Sequence, residues 1–179
     1  MKPQKIVISG GPGTGKSTVI DKLGQLNFHC LPEISRQITL DAQKKGIDQL
    51  FLKDPILFSD LLLSGRKEQF EKASHLQTNI VFFDRGIPDV FAYMNYLKIS
   101  YPPVFEEMSH KLKYDRVFMM PPWKEIYEND NERYESYEAC IEIHEFLMAA
   151  YSKIGYTIDL VPAGSVDERV EYILKALNL

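Results

Sequence analysis

The stretch GGPGTGKS, residues 10–17, limits this chain more than any other. It packs four glycines and a proline directly behind the β-branched run KIVIS (5–9), and a helix-forming segment, KSTVIDKL, follows it. Gly10, Gly15, Lys16 and Ser17 stand at the fixed positions of G-x-x-x-x-G-K-[ST]. Glycines let successive backbone N–H groups turn into one concavity, and the positive end of the next helix reinforces it. A lysine at this point reaches the β- and γ-phosphates of a bound nucleotide, and the serine hydroxyl ligates Mg²⁺. The competing reading is a glycine-rich turn that merely connects strand to helix; the match at all four fixed positions, with an apolar strand before and a helix after, favours the phosphate loop. The loop Gly10, Gly11, Pro12, Gly13, Thr14, Gly15, Lys16, Ser17 and Thr18 is therefore expected to cradle a nucleoside triphosphate, ATP with GTP possible.

Behind this loop, strands and helices alternate. Strands are expected at 5–9, 29–32, 79–84, 114–120 and 156–161. Helices are expected at 16–26, 34–45, from Asp54-Pro55 through FSDLLLSGRKEQFEKAS, and at about 88–97, 103–112 and 134–153. The helix at 134–153 carries Tyr134, Tyr137, Ile141, Leu147 and Tyr151 near one stripe. A last helix starts at Ser165, with Glu168 placed for a capping box. This order implies a three-layer α/β/α fold of the P-loop NTPase type, with a mostly parallel five-stranded sheet. No repeat, linker or low-complexity segment divides the 179 residues, so one domain, 1–179, is expected. The polar run 128–135 (ENDNERYE) is the candidate mobile loop.

Composition excludes several classes. Net charge is −4, so no basic surface suggests a nucleic-acid partner. The two cysteines, Cys30 and Cys140, and the scattered His29, His75, His110 and His144 show no metal-ligand spacing. Apolar runs are strand-sized, too short for a bilayer span or a signal peptide, and a cytoplasmic protein is expected.

A phosphate loop alone does not separate kinase, ATPase and switch. The strand Ile80-Val81-Phe82-Phe83 ends in Asp84, and ligands in open α/β sheets gather at the carboxyl ends of strands. Asp84 is thereby a candidate for Mg²⁺ or catalysis, with capping of the next turn as the alternative. ATPases of the motor and AAA+ type place a Glu after this Asp to activate water; here Arg85 follows. No N-K-x-D stretch for reading guanine occurs, and the chain lacks room for a separate helical lid domain. These features favour a small-molecule kinase.

The set GGPGTGKST, LPEISRQI, VFFDRGIPDVFAY, NDNERYESYEA and GYTIDLVPAGSVDERVEYIL resembles the AAA-type predicted-ATPase domains grouped with the ribosylnicotinamide kinase domain of NadR-type proteins. More distantly, the layout is similar to that of deoxynucleoside and thymidylate kinases. The resemblance covers nearly the whole chain and implies phosphoryl transfer from Mg-ATP to a small nucleoside-, nucleotide- or riboside-like acceptor. It implies Glu33 as the base for the acceptor hydroxyl, with an ion pair to Arg36 as the alternative. Arg36 and Asp89 are its candidates for acceptor binding. Arg85 stabilises charge on the transferring phosphoryl group, Ser17 and Asp84 hold Mg²⁺, and Arg133 closes a lid over about 123–136. Tyr93, Tyr96, Phe58 and Trp123 are pocket or core aromatics. The rival function is a nucleotide-dependent switch or NTPase without a small-molecule acceptor. The acceptor and the oligomeric state are left open.

Overall fold

A computed structural model describes residues 2–127 and 136–179. Five strands form one sheet: β1 (Gln4–Gly10), β2 (His29–Leu31), β3 (Ile80–Asp84), β4 (Arg116–Met120) and β5 (Ile158–Leu160). Their order is β2-β3-β1-β4-β5, and every pairing is parallel. The helices are α1 (Lys16–Gln25), α2 (Ser35–Lys44), α3 (Leu50–Lys53), α4 (Pro55–Ala73), α5 (Pro88–Tyr96), α6 (Val104–Lys111), α7 (Tyr137–Ile154) and α8 (Val166–Ala176). The expected three-layer α/β/α fold with a five-stranded sheet is the one observed, and the sheet is parallel throughout.

Strand periodicity builds the two cores. Ile6 and Ile8 of β1, Ile80 and Phe82 of β3, and Phe118 and Met120 of β4 face α1 and α8, where Val19, Leu23, Val170 and Ile173 meet them. The alternate residues Val7, Val81, Phe83, Val117 and Met119 face the opposite layer, with Leu62, Phe91, Phe105 and Leu147 among their neighbours. Side chains on a strand alternate between faces, so a run apolar at every position needs cover on both sides. The same parity sends Asp84 to the α1 face and Ser9 to the α5 face.

Local chemistry fixes the helix ends. Asp54 caps α4 by accepting from the Leu57 N–H at 2.9 Å, with Pro55 in the first turn. Ser165 and Glu168 form the expected capping box on α8. Helix α7 begins after Ser136, whose hydroxyl accepts from the Ala139 N–H; the expected start at Tyr134 lies outside the described residues, as does all of 128–135. Ile141, expected on its buried stripe, is 40% exposed, and Cys140 takes that position with Ile143, Leu147, Ala150, Tyr151 and Ile154. Seven residues nearly complete two helical turns, so Cys140, not Ile141, lies in line with Leu147. Helix α3, one turn long, was not expected. Among the described residues, no helix is long and apolar enough to cross a membrane.

Phe118 is fully buried at the centre of the α1/α8 core. Phe118→Ala is expected to destabilise the fold by about 3–5 kcal/mol, seen as a lower urea midpoint with an unchanged slope.

Candidate functional site

The carboxyl ends of β1, β2 and β3 lie side by side, with Ile8 in register with Asp84 and Leu31 with Phe83. Each strand delivers one part of the site there. From β1 the chain enters the phosphate loop, from β2 it reaches Glu33, and from β3 it reaches Asp84 and Arg85.

Gly15 stands at the N-cap of α1 with φ 80°, a left-handed conformation that L side chains avoid. A Cβ there would come within 2.8 Å of Arg169 Nη1. No side chain caps α1 and no acidic residue lies in its first turn, so the free N–H groups and positive helix end face the loop. Lys16 Nζ donates to the Gly11 carbonyl at 2.7 Å, and the Thr14 hydroxyl donates to the same oxygen at 2.9 Å. Burial, together with the Arg85 charge, lowers the Lys16 ammonium to about 7, while Asp84, Asp89 and Glu33 oppose the shift. Thr18 donates to the Gly15 carbonyl, and Ser17 is exposed at the start of α1.

Asp84 is 9% exposed, and its Oδ1 is buried with no hydrogen-bond partner among the described residues. Burial raises its carboxyl above the usual carboxylate range, and Lys16 and Arg85 offset this only in part. A buried carboxylate oxygen without a donor suits a cation, and with the Ser17 hydroxyl it fits the two protein ligands that a phosphate-bound Mg²⁺ takes in P-loop proteins. No group of three His, Cys, Asp or Glu that could hold a metal ion occurs among the described residues.

Glu33 follows the edge strand β2 through Pro32. Its Oε1 accepts from the Ile34 and Ser35 N–H groups at 2.9 and 3.1 Å, at the start of α2. The guanidinium of Arg66 lies 3.2 Å from Oε1, and Arg85 Nε lies 2.6 Å from Oε2. Burial pushes the Glu33 carboxyl up, but Arg66 and Arg85 outweigh it and hold it below the usual range. Glu33 is thus paired with Arg66 of α4 and with Arg85, which follows β3; the sequence weighed Arg36 as its partner. Arg36 lies exposed in the first turn of α2.

Arg85 has φ 72°, a conformation that costs a non-glycine residue about 1–3 kcal/mol and recurs at functional sites. Its guanidinium stacks over the Tyr93 ring at 5.3 Å and pairs with Asp89 at 3.2 Å. Asp89, expected at the acceptor, is 1% exposed and occupied by Ser9, Arg85, Gly86 and Tyr151. Burial pushes its carboxyl up, and Arg66, Arg85 and these hydrogen bonds carry it below the usual range. Arg133 and most of the expected lid, 123–136, lie outside the described residues.

Three residues here escaped the sequence reading. Arg66, 3% exposed, bridges Glu33 and the Gly86 carbonyl, to which Nη1 donates at 2.7 Å. Arg169 of α8 donates to the Thr14 carbonyl at 3.0 Å and lies 5.6 Å over the Trp123 ring. These two residues, with Thr14, Pro121, Pro122 and Pro162, line a slot of about 50 Å³ beside the loop. Tyr151 is the third. Phe58, Tyr93 and Tyr96 are all partly buried against the α4–α7 core, and Tyr96 packs on Phe146.

Two outcomes follow from these charges. Because the folded-state pKa of Asp84 is raised, its charged form costs stability at neutral pH; Asp84→Asn is expected to raise Tm without ligand by about 2–4 °C per kcal/mol relieved. The same variant is expected to weaken Mg²⁺-dependent nucleotide binding, and thermal melts with and without Mg-ATP measure both. With its ammonium lowered to about 7, Lys16 is expected to take up a proton when a triphosphate binds. Nucleotide affinity is expected to fall as pH rises from 7, and calorimetry in buffers of different ionisation enthalpy counts the proton.

Known structures share this architecture. Deoxyadenosine kinase from M. mycoides, with products dCMP and dCDP bound, superposes with a TM-score of 0.71 at 18% identity over 98% of this chain and 99% of that one. NadR protein in complex with NR gives 0.76 at 20% identity over 99% of this chain, which spans 52% of the NadR chain. Thymidylate kinase from Candida albicans gives 0.69 at 15% identity, covering 99% and 92%. At these identities the likeness is one of fold: a P-loop kinase-like α/β/α sandwich. No curated protein sequence matches the chain. A family model described as an AAA domain matches residues 5–169, from β1 to Arg169 of α8, and the chain belongs to that AAA domain family.

Proposed function

We propose that the protein is a P-loop kinase that transfers the γ-phosphoryl group of Mg-ATP to a hydroxyl of a small nucleoside-, nucleotide- or riboside-like metabolite. One observation carries this reading: a half-buried carboxylate, Glu33, forms an ion pair at 2.6 Å with the arginine that follows the strand-end Asp84, beside a phosphate loop. A switch or plain NTPase has no evident use for a base and an arginine fixed together at that place. The fold shared with deoxyadenosine kinase, thymidylate kinase and NadR adds support.

In this mechanism the loop N–H groups and Lys16 bind the β- and γ-phosphates. Ser17 and Asp84 would hold Mg²⁺, which would supply positive charge against the phosphates. The acceptor hydroxyl oxygen forms the new bond to phosphorus as the bond to the β-phosphate oxygen breaks. ADP leaves with that electron pair, and Glu33 receives the hydroxyl proton. Arg85 stabilises charge on the phosphoryl group in flight. Arg36 contacts the acceptor. Asp89, enclosed by four donors, serves the acceptor side by holding Arg85.

The test is a panel of nucleosides and vitamin-derived ribosides with Mg-ATP, with product read by mass. At least one acceptor is expected to be phosphorylated, and Glu33→Gln is expected to slow it by about 10²–10⁴-fold. Nucleotide binding, followed by fluorescence of the single tryptophan, Trp123, is expected to survive that change. ADP release at background with every acceptor, despite tight nucleotide binding, would overturn the kinase reading in favour of a binding module.

A further inference from the structure

Helix α5 opens with Asp89 in its first turn, where a carboxylate commonly accepts from the backbone of its own helix. Asp89 does more than that. Of its four donors, only the Gly86 N–H, at 3.0 Å, belongs to the local turn. The Ser9 hydroxyl reaches Oδ1 from the last turn-facing position of β1 at 2.7 Å, directly before the phosphate loop. Arg85 Nη1 shares that oxygen at 3.2 Å, and the Tyr151 hydroxyl reaches Oδ2 from α7 at 2.5 Å. Capping α5 requires none of these last three.

The backbone is shaped for this arrangement. A Cβ on Gly86 would come within 2.5 Å of the Tyr151 hydroxyl, so only glycine lets α7 approach Asp89 here. Tyr151 is fully buried, and burial with the neighbouring Asp89 charge raises its phenol well above the ordinary value, so it stays a donor. The consequence falls on Arg85. Its left-handed backbone needs support, and two of its three guanidinium nitrogens are tied, Nε to Glu33 and Nη1 to Asp89. A guanidinium fixed on two nitrogens presents the third in one direction, which is what pre-organised stabilisation of developing charge requires.

We propose that Asp89 and Tyr151 are a positioning couple that aims Arg85 at the transferring phosphoryl group, with Tyr151 acting only through Asp89 and Arg85. The proposal rests on the phosphoryl-transfer reading above. It also gives α7 a second grip on the site, because Cys140, near the other end of that helix, donates to the Pro12 carbonyl of the phosphate loop at 2.9 Å.

Tyr151→Phe keeps the ring and removes the donor, and Asp89→Asn removes the charge with little change of shape. Binding of Mg-ADP, alone and with aluminium fluoride as a mimic of the phosphoryl group in flight, is followed through Trp123 in the folded variants. Both variants are expected to bind Mg-ADP as the wild type does and to bind the aluminium fluoride complex about tenfold or more weakly. In an Arg85→Ala background, Tyr151→Phe is expected to have no further effect, the non-additivity of residues acting in series. An undiminished aluminium fluoride complex in Tyr151→Phe, or an equal loss with and without Arg85, overturns the couple alone. Wild-type protein whose Mg-ADP affinity does not respond to aluminium fluoride overturns the transfer reading, and this proposal with it. Should Tyr151→Phe fail to fold, Asp89→Asn with the same cycle against Arg85→Ala decides.

Discussion

Three carboxylates and three cations, Glu33, Asp84 and Asp89 with Lys16, Arg66 and Arg85, must be withdrawn from water together at the carboxyl end of β3. A buried charge without a partner costs several kcal/mol, so this end of the sheet stands only because the charges answer one another. The match is uneven. Glu33 and Asp89 are each held by arginines and hydrogen bonds and stay ionised. Asp84 keeps an oxygen with no donor among the described residues, and Lys16, curled onto a loop carbonyl, is pushed toward neutrality. The two unfavourable positions are the two that a cation and a polyphosphate would relieve. The fold thus carries its electrostatic cost where a ligand repays it, while the arginine–carboxylate part beside it is already complete.

That division explains what could be read from the sequence. The phosphate loop, the strand ending in Asp84 and Arg85, and the segment with Glu33 are local: each lies within a few residues of a strand end, and strand parity fixes its face. The two cores were legible for the same reason, since Ile6, Val7 and Ile8 in succession demand cover on both sides. Arg66, Tyr151 and Arg169 belong to helices 20 to 155 residues away from the groups they touch. Only tertiary packing brings them there. A faint signal did exist for Arg66. Ser59, Leu62, Leu63, Arg66 and Ala73 form the buried side of α4 at helical spacing, so an arginine sits within an apolar stripe. The exposed Leu57 and Leu61 obscured it, because α4 carries apolar residues on both faces. On α7 the same ambiguity set Ile141 in place of Cys140.

The rim of the site differs from its floor. Glu33 lies two residues beyond an edge strand of three and accepts from the N–H groups that lead into α2, while Arg85 follows a central strand and Asp89 lies in the first turn of α5. The side with Glu33 and Asp89 is thus assembled from the starts of two helices and pinned by Arg66, and the side with the phosphate loop from one continuous strand, loop and helix. Helix α7 is in contact with both, through Cys140 at the loop and Tyr151 at Asp89. A rigid rod of this kind keeps the two halves in one register, and its packing on α5 is the most extensive helix–helix contact outside the sheet. Precision of that order matters for a reaction in which positioning supplies much of the rate.

Under the proposed transfer, the state of Glu33 limits what it can do. A carboxyl held below its usual range by two arginines is a weak base, and Brønsted behaviour gives a weak base little leverage over a proton that must move early. Phosphoryl transfer does not demand early movement. In a loose transition state the bond to the leaving group is largely broken before the acceptor oxygen has lost much electron density, so its proton stays put until late. What the acceptor needs before then is direction: one fixed acceptor atom for its hydroxyl hydrogen, in line with the phosphorus. A carboxylate clamped by Arg66, Arg85 and two backbone N–H groups is well made for that and poorly made for abstracting a proton from a ground-state alcohol. The arginines that weaken Glu33 as a base are therefore the same groups that make it an aiming point, and one of them is the arginine that meets the phosphoryl charge.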